Sequence, residues 1–157
     1  MSVSLTTPIT GSAQTGFTAP TYTIVTDTAP APNAKQWAVT GIGGTQTGVD
    51  VHSVSKPFTL TFFRPLSLKM LPPAAVSTGI IPPNKIGKNV YLFKVRKGAA
   101  PAANQIPQVA ELDVRIAIPA GTDTYEPEDI RAAISCLIGS LTQFSAGLGD
   151  TAVTGVA

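Results

Sequence analysis

The stretch Val109-Ala110-Glu111-Leu112-Asp113-Val114-Arg115-Ile116-Ala117-Ile118 decides the fold. Ala110, Leu112, Val114, Ile116 and Ile118 fall on one side of an extended chain, and Glu111, Asp113 and Arg115 fall on the other. A period of two belongs to a β-strand, whose successive side chains point to opposite faces. Alternation this clean means one covered face and one that is wet or holds a ligand, the habit of antiparallel sheets.

Towards the C-terminus the period changes to that of a helix. Glu126, Glu128 and Asp129 crowd a first turn, where they suit the helix dipole, and Pro127 fits the first helical position. Ile130, Ile134, Leu137, Ile138 and Leu141 recur at helical spacing, Phe144 extends the stripe, and Gly147 is a natural stop. The opposite side carries Ser135, Cys136, Gly139, Thr142 and Gln143, with no charge between Arg131 and Asp150. Small uncharged residues let another backbone approach closely, so Ser135, Cys136, Gly139 and Gln143 are candidate packing positions; the alternative is a weakly polar outer surface. The tail from Asp150 either adds a short second helix or frays.

Towards the N-terminus the two-residue period returns. In Val90 to Lys97, Lys94 and Arg96 project to one side and Tyr91, Phe93 and Val95 to the other. Gly98 to Gln108 reads as a protruding loop. In Phe58 to Phe63, Phe58, Leu60 and Phe62 oppose Thr59 and Thr61. Two further strands are expected: Gln36 to Thr40, closed by a turn at Gly41-Ile42-Gly43-Gly44, and Gly48 to Ser55, where Val49 and Val51 alternate with Asp50 and His52. Pro65 to Gly87 holds five prolines and is expected as a structured, irregular excursion. Val3 to Ile9 and Tyr22 to Thr26 suggest a hairpin or arm, with Pro8 holding the first run to an edge. The reading is one α+β domain over 1–157: an arm over 1–34, an antiparallel sheet of five strands over 35–119, and a helical region over 120–157.

Charge is sparse and uneven. Charged residues make up 13% of the chain, about half the usual ~25%. A chain so poor in charge is a candidate for hiding surface against its own copies, although Thr, Ser, Asn and Gln also solvate a surface. Eight cations lie between Val51 and Ala110 with no Asp or Glu among them, and seven acids lie beyond Ala110 beside two arginines. That asymmetry points to a polyanion-facing middle, against the alternative of scattered surface lysines. Register decides which side of Val90 to Lys97 is wet; if it is the lysine side, Lys94 and Arg96 align with Thr59, Thr61 and Arg115 on one face. Cations for phosphates beside hydroxyls for sugars and bases suit RNA with unpaired bases.

The inventory for chemistry is thin. His52 and Cys136 are the lone histidine and cysteine, so no intrachain disulfide forms and no ordinary zinc site can be built. His52 is expected as a sheet residue and Cys136 as a packed helix residue. Glu111 and Asp113 could be an acid–base pair but are better read as polar sheet residues with cross-strand partners. The glycine run leads into no helix, so it lacks the anion-binding terminus of a nucleotide loop. No enzyme, cofactor, metal or small-molecule substrate is expected. No secretory signal is expected in Met1 to Pro8, and no apolar run is long enough to span a membrane.

The order of elements resembles the coat proteins of the single-stranded RNA bacteriophages, the levivirus-like family. Glu111 to Pro119 looks like that family's last strand, Ala120 to Thr124 like its short polar loop, and Glu128 to Phe144 like its helix. Ala31 to Thr40 looks like the approach to its first sheet strand, Val90 to Lys97 like its penultimate strand, and Gly98 to Gln108 like the loop that lines the symmetry axes of its shell. The resemblance spans about residues 20 to 157 and rests on element order. It implies a homodimer with a continuous ten-stranded sheet, each helix crossing onto the partner. It implies an icosahedral virion capsid made in the bacterial host cytoplasm, and an inner sheet face meeting single-stranded RNA. In the family that face can also grip a hairpin, repressing replicase translation. Lys94 matches a basic RNA-contacting position, and Thr59 and Thr61 match hydroxyl positions. Arg96 and Arg115 join them by projection, and Arg64 stands at its strand's end. Pro107 and Val109 replace an aromatic and an amide used for base recognition, which puts recognition of a specific hairpin in doubt. The proline-rich connection is longer than in the best-known members. The alternative class is another self-assembling β-rich subunit, pilus-like or tail-tube, without specific RNA binding; a monomeric RNA-binding module fits the low charge less well.

Overall fold

The computed structural model describes residues 3–75 and 77–156. Six strands form one antiparallel sheet in which chain order is spatial order. They are β1 (Ile9–Thr10), β2 (Thr18–Asp27), β3 (Ala34–Thr45), β4 (Phe58–Phe63), β5 (Lys88–Ala99) and β6 (Gln108–Pro119). Three helices follow: α1 (Thr122–Tyr125), α2 (Pro127–Gln143) and α3 (Ser145–Thr154).

Apart from Gly48 to Ser55, the alternating stretches form strands at the expected places: β4 matches its pattern, and β3, β5 and β6 run longer than theirs. Two expectations at the other end of the sheet are corrected. Gly48 to Ser55 is a loop, not a strand. Its backbone folds onto neighbours instead: His52 N–H donates to the Val39 carbonyl (2.8 Å), and the His52 ring Nδ1 accepts the Phe58 N–H (3.0 Å). His52 is therefore a loop residue. Its place in the sheet is taken by β2, whose centre is the Tyr22 to Thr26 run assigned to the arm. The arm's own strand shrinks to Ile9–Thr10, paired with Thr21 and Tyr22.

Gly41 to Gly44 is likewise no turn but the far half of β3. Register shifts on either side of Thr21 and Thr23 bulge the β2–β3 ladder there, and bulged strands approach closely where side chains are missing. A Cβ at Gly43 would collide with the Thr21 hydroxyl. One at Gly44, whose φ is +71°, would strike the carbonyls of Thr18 and Ala19.

Directly opposite residues in an antiparallel pair share a face, so the register sorts the sheet. Tyr22, Ile24, Trp37, Val39, Ile42, Phe58, Leu60, Phe62, Phe93, Val95, Leu112 and Val114 lie on one side. Leu5 and Ile9 of the N-terminal segment pack against Ile24, Trp37 and Val39, and all three are buried. Tyr22 meets Phe58 edge-on at 5.8 Å, and Phe62 stacks with Tyr91 at 6.4 Å. That roof stops at β4. Over β5 and β6 no apolar side chain is buried, and Leu112 is 58% exposed.

The helices do not close the gap. α2 has seventeen residues and none is buried; at 1.5 Å per residue it is about 25 Å long. Its substantial contacts with other elements are with α1 and α3. It ends at Phe144 rather than at Gly147, and α3 departs at 61° with both Gly147 and Gly149 inside it. Gly149 leaves room for the Gln14 amide, which a Cβ there would push aside. Gln14 Nε2 donates to the Ser145 carbonyl (2.9 Å) and hydroxyl (2.8 Å), and the Thr15 hydroxyl donates to Asp150 (2.9 Å). These polar ties hold α3 to the β1–β2 loop. No single helix among the described residues is long and apolar enough to cross a membrane.

The segment between β4 and β5 is irregular as expected, with one 3-10 turn at Pro83–Lys85. Buried Asn89 clamps it: its Oδ1 accepts the Lys69 N–H (2.8 Å) and its Nδ2 donates to the Lys69 carbonyl (3.1 Å). A cleft of about 750 Å³ lies between this segment and α1, lined by Leu68, Met70, Leu71, Ile86 and Tyr125 among others.

Candidate nucleic-acid interface

The other sheet face is polar, and β-pairing alone assembles it. One row runs Asp27, Gln36, Thr61, Lys94, Asp113 across five strands; the next runs Thr26's neighbour Val25, then Ala38, Thr59, Arg96, Glu111. Lys94, Arg96, Thr59, Thr61 and Arg115 thus share one face, away from Phe93 and Val95. Arg115 sits a row further along, exposed and opposite Leu92. Arg64 lies past the end of β4, where its backbone exchanges hydrogen bonds with Asn33, and its side chain is not part of the row.

The cations are not bare. Lys94 Nζ lies 2.7 Å from Glu111 Oε2 and 3.5 Å from Asp113 Oδ2, and Arg96 Nε lies 3.5 Å from Glu111 Oε1. The hydrogen bond from Lys94 holds the Glu111 carboxyl below the usual carboxylate range, and the same bond raises Lys94 above an ordinary lysine. Glu111 and Asp113 are cross-strand ion-pair partners, as their spacing suggested. With Asp27 at the far end, three acids stand against Lys94, Arg96, Arg115 and, at the start of β5, Lys88, so the face carries little net charge.

The hydroxyls differ. Thr61 donates to Gln36 Oε1 (2.9 Å), and Gln36 Nε2 donates to Asp27 Oδ2 (2.7 Å), which with the Thr28 N–H lowers the Asp27 pKa. Thr59 is 4% exposed, and its hydroxyl finds no partner among the described residues. Arg96 Nε is also shielded and misaligned for a hydrogen bond. Gln36 and Asp27 were missed as members of this network; their positions on the face opposite Trp37 were the available signal.

Ser135, Cys136, Gly139 and Gln143 are all exposed, and a Cβ on Gly139 would meet nothing within 4 Å. The apolar stripe of α2 is little better covered, with Ile138 60% and Phe144 48% exposed. Lys97 points to the apolar face, 5.2 Å above the Phe58 ring. Among the described residues no three His, Cys, Asp or Glu side chains cluster as metal ligands would.

A half-roofed sheet, an open edge strand and a helix with no buried side chain define a structural protein of the assembling kind. The chain is 54% identical to the subunit in the virus-like particle of bacteriophage ESE020, over 99% of this chain and 100% of that one, with a TM-score of 0.95. It belongs to the coat proteins of the levivirus-like single-stranded RNA phages, and as such is a structural subunit of the virion capsid. The subunit of the virus-like particle of Beihai levi-like virus 32 is 14% identical over 87% of this chain and 88% of that one, with a TM-score of 0.47. That of Wenzhou levi-like virus 4 is 16% identical over 83% and 75%, at 0.44. No family model and no curated protein matches the chain.

Proposed function

We propose that two chains join edge to edge along β6 into a ten-stranded sheet, counting β2 to β6 from each. α2 of each chain lies over the unroofed apolar half of the partner's sheet. These dimers build a closed shell, and the polar face lines its interior and holds single-stranded RNA. The subunit acts by assembly and not by catalysis. One observation carries this reading: β6 offers a twelve-residue edge beside apolar surface on which Leu112 is 58% exposed, whereas the opposite edge is already partly covered. There β1 pairs with β2, and the Thr7 hydroxyl accepts the Ile24 N–H (3.1 Å). Open edges and large apolar patches are hazards that a soluble chain covers. Lys94, Arg96 and Arg115 contact RNA, with Arg64 at the margin; Thr59 and Thr61, 4% and 2% exposed, lie beneath that surface and support it without reaching the ligand. Ser135, Cys136, Gly139 and Gln143 form the close-packing side of α2. With Pro107 and Val109 at the loop end of β6, repression through one particular hairpin depends on the residues of this face.

The test is expression followed by electron microscopy and nuclease treatment. Closed particles with protected RNA are expected. Lys94→Ala with Arg96→Ala should lower RNA content and reduce the slope of log affinity against log salt by about 0.7 per lost phosphate contact, with dimers intact. Filaments would favour the tube or pilus class, and RNA binding unchanged by the double substitution would remove RNA from this face.

A further inference from the structure

Taking the edge-to-edge reading as its basis, we propose the register: the two β6 strands pair about Val114, which sets Asp113 of each chain opposite the partner's Arg115. Because opposed residues share a face, a strand pairing with its own copy is centred on a residue, not between two. For the twelve-residue β6, Asp113 and Val114 are the two centres that keep the overlap nearly full. Centring on Asp113 sets that carboxylate against its own copy on the two-fold axis, and like charges directly opposite are unfavourable. Centring on Val114 removes the clash. Asp113 then meets the partner's Arg115 twice over, as two-fold symmetry requires. On the other face Leu112 meets the partner's Ile116 twice, and Val114 meets its copy.

The single chain leaves both ends of this pairing open. Arg115 is exposed and makes no ion pair among the described residues. Asp113 is held at only 3.5 Å by Lys94, with 45% of its side chain still exposed. Leu112, 58% exposed, gains an apolar neighbour in the same step. The result is a continuous polar ladder across the joint, Lys94 to Asp113 to the partner's Arg115. Arg115 then serves both the joint and the RNA-facing surface.

Cysteine cross-linking reads the register directly. In the full chain with Cys136→Ser, Val114→Cys should oxidise to a covalent dimer. Self-opposed residues have Cα atoms about 4.5–5.5 Å apart, within reach of a disulfide. Leu112→Cys alone should stay monomeric on a non-reducing gel, because it faces the partner's Ile116. Asp113→Arg should weaken the dimer about tenfold in sedimentation, and adding Arg115→Asp should restore it. Cross-linking by Asp113→Cys instead of Val114→Cys would overturn the register while keeping the β6 joint. Dimers that persist in sedimentation with no cross-link from any of Leu112→Cys, Asp113→Cys, Val114→Cys and Arg115→Cys would show that β6 is not the shared edge. Failure of the charge reversal to rescue would remove the Asp113–Arg115 pair.

Discussion

Thr59 and Thr61 stand two residues apart on one strand and one face, nearly equally buried at 4% and 2% exposed, yet Thr→Val should move stability in opposite directions at the two sites. The Thr59 hydroxyl is enclosed without a partner among the described residues, and a buried polar group left unsatisfied costs about 1–3 kcal/mol. Valine keeps the β-branched shape and removes that group, so Thr59→Val should stabilise by about 1 kcal/mol, or raise Tm by about 2–4 °C for a chain of this size. Thr61 donates at 2.9 Å to Gln36 Oε1, which has no other partner among the described residues. Thr61→Val deletes the bond and strands the acceptor, a loss of about 1–2 kcal/mol. Urea denaturation at one fixed protein concentration reads both, because a dimer's stability depends on concentration; midpoints should separate with m unchanged. Equal destabilisation by the two substitutions would refute the reasoning, since it would mean that Thr59 has a partner as good as Gln36.

Glu111→Gln keeps the shape but releases Lys94 and Arg96 from their shared carboxylate, so affinity for a short single-stranded RNA should rise about two- to five-fold in a binding titration. The same variant tests the pH dependence. With the Glu111 pKa depressed, its pairing with Lys94 is in place above the ordinary carboxylate range and is lost as pH falls through the lowered value. The stability difference between wild type and Glu111→Gln should therefore vanish at the acid end of a denaturation series. Gly139→Leu should disrupt dimers in sedimentation if the small-residue side of α2 packs against a partner; intact assembly would leave that side in water.

The sheet was legible where one face is greasy and the other wet. β4, β5 and β6 announce themselves by period, and Pro127 marks the helix start. The opposite end was not, because glycine carries two meanings. Gly41 to Gly44 punctuates like a turn, but it lets β2 and β3 close on one another around bulges, a contact between distant segments that local pattern does not encode. Gly48 to Ser55 alternates well enough for a strand, yet the His52 N–H goes to the Val39 carbonyl and the His52 ring accepts the Phe58 N–H. The break at Phe144 rather than Gly147 answers to Gln14 and Ser145, far apart in sequence. For the candidate face, periodicity gave the side on which Lys94 and Arg96 lie. It could not reveal that Glu111 spans to both, since that depends on register between strands.

The roof that stops at β4 ties the fate of a newly made chain to the number of its siblings. A protein that conceals its own interior folds alike in dilute and crowded company. Here the β5–β6 surface waits for a second copy, so on the edge-joined reading its maturation is a bimolecular event whose half-time shortens as synthesis proceeds. Early products linger unfinished; late ones find mates at once. Accumulation would then set the moment at which shells begin to form, with no separate timing device.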